Sequence, residues 1–102
     1  MFRFLQKFFR KDNSAIEAAL LNGAVILDVR TTLEFQEGHF EGSKNIPLNE
    51  IRSKMETIKK WNKPVIIVCR SGARSAAAKS ILSSLGLQVY NGGSWTNLKM
   101  QK

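Results

Sequence analysis

The most restrictive feature of this sequence is a stretch without a polar break. In "KPVIIVC" (63–69) every side chain from Pro64 to Cys69 is apolar, and a second such run, Val25–Ile26–Leu27, sits inside "AVILDVR" (24–30). Strands that alternate apolar and polar side chains can turn one face to water. These runs offer water no face, so a sheet built from them must be covered on both sides. The segments between and after them carry helical spacing. Strands alternating with helices make an α/β domain around a mainly parallel sheet.

The rest of the chain fills in that pattern. Residues 12–22 read as a helix that Asp12, Asn13 or Ser14 can cap and Gly23 can close. Residues 31–40 read as a short helix begun by Thr31 or Thr32 and stopped near Gly38. "KNIPL" (44–48) has the look of a brief edge strand, since Pro47 cannot donate to a ladder. Over 49–61, Ile51, Met55 and Ile58 recur at helical spacing behind a capping Asn49. A helix over 75–86 closed by Gly86, a strand over 87–91, and a glycine turn leading to a terminal helix over 92–102 complete the reading.

Length and composition bound the function. The 102 residues suit one domain. One cysteine and one histidine, Cys69 and His39, can build neither an internal disulfide nor a cysteine zinc cage, so no metal is expected and a reducing, cytoplasmic setting is. The formal net charge of +8 fits small anions, nucleic acid or a membrane surface. The lysines are scattered and no aromatic–basic recognition motif appears, which sets nucleic acid aside. The N-terminal "MFRFLQKFFRK" (1–11) interleaves phenylalanines with basic residues. It is far short of the roughly 20 apolar residues that span a bilayer. It also lacks the shape of a signal peptide. We read it as a segment separate from the domain at 12–102, docked or free in preference to lying on a membrane.

The chemistry concentrates in "CRSGARS" (69–75). In open α/β sheets the functional loops lie outside the carboxyl ends of the strands, which is where Cys69 falls. A free cysteine at a strand end can be core filling. Here Arg70 and Arg74 bracket the loop and a helix begins near Ser75, and both favour the nucleophilic thiolate. Gly72 permits a tight return of the backbone, so that successive N–H groups face one anionic centre. Ser71 and Ser75 can add hydroxyl donors.

This loop, after "VIIV", resembles the active-site loop of single-domain rhodanese proteins. "ILDVR" (26–30), "GHFEGSKNIPL" (38–48) and Gly92–Gly93 resemble further landmarks of that family in the same order, over about residues 12–98. The resemblance implies a three-layer α/β/α domain with about five strands. It also implies a monomeric thiosulfate sulfurtransferase without cofactor. Cys69 would take a sulfane sulfur as a persulfide and pass it to cyanide or a thiol. The loop from Arg70 through Ser71, Gly72, Ala73 and Arg74 to Ser75 would bind the substrate, with both arginines drawing in the thiosulfate dianion. The alternative is a persulfide carrier or protein-binding module whose acceptor is a protein thiol. Cysteine phosphatases need a longer loop than the four residues between Cys69 and Arg74. A dithiol redox role lacks its second cysteine. Asp28 and Arg30 read as a structural ion pair or loop anchor that Glu34 can join. His39 reads as structural, and Trp95 as packing for the last helix.

Overall fold

A computed structural model of the chain describes residues 14–98. Residues 14–21 form α1. Then follow β1 (Val25–Asp28), α2 (Thr32–Glu37), β2 (Lys44–Asn45), α3 (Met55–Trp61), β3 (Val65–Cys69), α4 (Ala73–Leu82) and β4 (Val89–Ser94). The sheet order is β2-β1-β3-β4, and all three pairings are parallel. The basic Phe-rich segment at 1–11, the capping residues Asp12 and Asn13, and the end of the expected terminal helix lie outside the described residues.

The two apolar runs become the central strands. Every residue of β3 is buried, and its side chains divide between two cores. Val65, Ile67 and Cys69 join Ile51, Ile58, Ala78 and Leu82 on the face covered by α3 and α4. Ile66 and Val68 join Ile26 and Ala19 on the face covered by α1. The result is the expected three-layer α/β/α arrangement, with one correction. Among the described residues the sheet has four strands rather than about five. The remaining described segments are helices and turns, and none holds another extended apolar run.

Other boundaries also differ from the sequence reading. The helix expected over 49–61 divides into 3-10 turns at Leu48–Glu50 and Arg52–Lys54 followed by α3. Tight bonds such as Ile51 N–H to the Leu48 carbonyl turn the fully buried Ile51 into the core before the helix begins. Helix α4 starts at Ala73, two residues before the expected Ser75, because Gly72 takes a left-handed conformation (φ 102°) and serves as its N-cap. The glycine pair is not a turn but lies inside β4, at a break in register between Ile67 and Val68. Ile67 pairs with Asn91 and Val68 with Gly93, so Gly92 is the extra residue of a bulge.

Gly92 is required for packing. A Cβ there would lie 2.9 Å from Ile66 Cγ2 and 3.0 Å from Val68 Cγ1, both on stiff β-branched chains of the buried strand. Gly92→Ala is therefore expected to destabilise the fold by about 1–3 kcal/mol. A lower urea midpoint with an unchanged denaturant slope is the signature to measure.

Candidate active site

Cys69 ends β3, and the chain turns through Arg70, Ser71 and Gly72 into α4. This turn brings the start of α4 back onto the cysteine it has just left. Gly72 N–H donates to Cys69 Sγ at 2.9 Å and Ser75 N–H at 3.4 Å. The Ser75 hydroxyl oxygen is 3.6 Å from the same sulfur. The free thiol is 1% exposed and belongs to the core, yet its sulfur faces donors on the loop side. Burial is the largest influence on it and pushes the thiol up. The Ser75 hydroxyl and the amides of Ser75, Gly72 and Ser71 together outweigh burial, so the thiol is held below its ordinary value. The unpaired N–H groups of the first turn of α4 act in the same direction.

The candidate loop residues are placed differently from one another. Ser75 is completely buried beneath the loop, whereas Arg70, Ser71 and Ala73 are exposed on its rim. Gly72 abuts the glycine pair of β4: a Cβ on it would lie 3.5 Å from Gly93 Cα. Arg74 does not project freely. Both its terminal nitrogens donate to the Glu34 carboxylate, at 2.8 and 3.1 Å. Arg70 has no ion-pair partner among the described residues.

Glu34 belongs to a different network from the one the sequence reading gave it. Asp28 and Arg30 do form a buried pair, with Arg30 Nη2 2.8 Å from Asp28 Oδ2. Arg30 then reaches the Glu34 carbonyl at 3.3 Å and the Gly38 carbonyl at 2.6 Å. It thus holds the backbone of α2 and leaves the Glu34 carboxylate to Arg74. That carboxylate also closes a capping box with Thr31. Trp95 lies over Arg30, 4.6 Å from ring centroid to guanidinium carbon, and beside Gly38. Among the described residues its packing partners are this network and the second core. His39 takes no part in the thiol's surroundings. Its Nδ1 is 2.8 Å from the Phe35 carbonyl oxygen, and its ring stacks on Phe35.

Between these parts lies a cleft of about 280 Å³ lined by Arg30, Glu34, Glu37, Gly38, Arg70 and Trp95. Asn91 has no place in the sequence reading of the site, and Glu34 stands there only beside the Asp28–Arg30 pair. Glu34 had a signal, since Thr31 followed three positions later by Glu is a capping-box spacing that fixes where the carboxylate stands. Asn91 had none. It is a strand residue far along the chain that hydrogen bonds to Ser75 and Gly72.

Arg74 holds the Glu34 carboxyl at about 2, against an ordinary 4.5, with the Thr31 N–H assisting. A lowered folded-state value means the stabilisation is complete above pH 4.5 and is lost as the pH falls towards 2. Because the pair is partly exposed, its worth is about 1 kcal/mol. Glu34→Gln keeps the acceptor for Thr31 but removes the charge. Urea midpoints across the acid range are expected to converge for the variant and the wild type, with the variant the less stable at neutral pH.

Comparison with known proteins agrees with this fold. Residues 12–98 match the family described as Rhodanese-like domain. The thiosulfate sulfurtransferase PspE of Escherichia coli K12 is 36% identical over 78 residues, covering 74% of this chain and 75% of that protein. The putative mitochondrial thiosulfate sulfurtransferase of Schizosaccharomyces pombe is 38% identical over 85 residues, covering 70% of this chain and 60% of its own length. The solved structure of a rhodanese with anions from E. coli superposes with a TM-score of 0.68 at 34% identity, covering 78% of this chain and 95% of the other. No helix among the described residues is long and apolar enough to cross a membrane.

Proposed function

The chain belongs to the rhodanese-like domain family, and from that membership we propose that it transfers sulfane sulfur through a persulfide on Cys69. The observation that carries the reading is the convergence of the Gly72 and Ser75 N–H groups on Cys69 Sγ, at 2.9 and 3.4 Å. Such donors stabilise a thiolate, and the same shell can hold the terminal sulfur of a persulfide.

The steps balance without a cofactor. The Cys69 thiolate attacks the outer sulfur of thiosulfate. A new S–S bond forms, the old one breaks, and its electron pair leaves on sulfite. Cyanide or an acceptor thiolate then attacks the terminal sulfur of the Cys69 persulfide, and the Cys69 thiolate is the leaving group. Thiol chemistry of this kind suits a reducing compartment, and we assign the protein to the cytoplasm on that ground.

The two arginines have different tasks. Arg70, exposed and without an ion-pair partner among the described residues, attracts the dianionic donor and the departing sulfite. Arg74, gripped by Glu34, fastens the loop to α2. Arg70→Ala is expected to raise KM for thiosulfate about tenfold with kcat nearly unchanged, a loss of about 1.4 kcal/mol of binding. Steady-state rates at several salt concentrations check this. The rise of KM with ionic strength is expected to be shallower in the variant than in the wild type.

The reading as a whole is tested by intact mass after incubation with thiosulfate. The wild type is expected to gain one sulfur atom and Cys69→Ser none. No adduct with any sulfane donor would falsify it. A persulfide that forms but discharges to a protein thiol and not to cyanide makes the protein a sulfur carrier working at the same cysteine.

A further inference from the structure

Asn91 stands in β4 beside Ile67, on the sheet face that α4 covers, one strand away from the cysteine. Its side-chain carbonyl accepts the Gly93 N–H at 2.9 Å and the Ser75 hydroxyl at 2.6 Å. Its amide nitrogen donates to the Gly72 carbonyl at 3.2 Å. Turning the amide over would set donor against donor at Gly93 and acceptor against acceptor at Gly72, so its orientation is determined. Asn91 therefore holds the two residues, Gly72 and Ser75, whose N–H groups face Cys69 Sγ.

The loop needs such a hold. Gly72 has no side chain to anchor it and adopts φ 102°, and its neighbours Ser71 and Ala73 are exposed. Packing alone leaves a glycine of this kind free to swing its peptides. The Gly72 carbonyl is instead held by two N–H donors, that of Ala76 at 3.0 Å and the Asn91 amide at 3.2 Å. The Asn91 amide is the one that comes from outside the loop and its helix. We propose that Asn91 is a positioning residue for the chemistry of Cys69, clamping Gly72 and Ser75 from the neighbouring strand so that their donors stay aimed at the sulfur. Its importance for turnover rests on the persulfide reading above; its effect on the thiol does not.

The charged groups nearest the loop are Arg70 within it, the Arg74–Glu34 pair joining α4 to α2, and the Asp28–Arg30 pair at the end of β1, while Lys79 of α4 lines a cleft with Asn91. None of them bonds to Asn91, so substitutions there leave the ion pairs in place. Asn91 itself is exposed, and its loss opens no core cavity.

The test is the pH dependence of iodoacetamide alkylation of Cys69 in the full chain, with melting temperatures measured alongside. Asn91→Asp keeps the shape but sets a carboxylate against the Gly72 carbonyl and adds negative charge near the thiolate. Its alkylation midpoint is expected to rise by about one pH unit. Asn91→Ala removes the clamp without adding charge, and its midpoint is expected to rise by a smaller amount at a nearly unchanged melting temperature. If Asn91→Asp does not fold, Asn91→Ala alone decides. A midpoint that stays at the wild-type value or falls overturns the proposal. Alkylation needs no sulfur donor, so the answer stands even for a chain that never takes up sulfur.

Discussion

Everything at the site follows from the burial of β3 on both faces. Five consecutive buried residues require a layer of helix above and below. With parallel neighbours on each side, the strand can be left only by a crossover. The crossover that leaves β3 is α4, and it must start at the strand's carboxyl end. The N–H groups of its first turn have no partners within the helix, and they point at whatever residue closes the strand. That residue is Cys69.

The thiol sits between two opposing influences. Burial favours the neutral form, and the donors of the loop favour the charged one. The donors prevail because Gly72 is left-handed, so the chain can fold back within hydrogen-bonding distance of the sulfur it follows. The bulge in β4 contributes to the same end. Gly92 lets the strand pass close to Ile66 and Val68, where a Cβ would collide, and Gly93 lies in van der Waals reach of Gly72.

Two ion pairs with distinct tasks frame this loop. The buried Asp28–Arg30 pair is satisfied on all sides, with Arg30 holding α2 by its carbonyls and lying under Trp95. Its burial demands this completeness, since an unpaired charge there would be costly. The more exposed Glu34–Arg74 pair then links α2 to α4. Of the two loop arginines, this leaves Arg70 as the one without an ion-pair partner among the described residues. Both arginines carry the same charge in the sequence, and their difference arises from one carboxylate placed by a capping box forty residues earlier.

Local pattern was enough to read the layers, the strand order along the chain and the position of Cys69 at a strand end. The reason is that unbroken apolar runs and helical periodicity are properties of neighbouring residues. The tight return of the loop's N–H groups onto one centre was legible too, because Gly72 and a helix start lie within a few positions of the cysteine. What the folded chain added depends on residues distant in sequence. Pairing across strands turned an expected glycine turn into a bulge, and core packing broke one helix into 3-10 turns. Folding also bound Arg74 to Glu34 and brought Asn91 onto Gly72 and Ser75. Hydrogen bonds of that kind are set by the register of β4 against β3, and no spacing along the chain encodes a register between strands that are not adjacent in sequence.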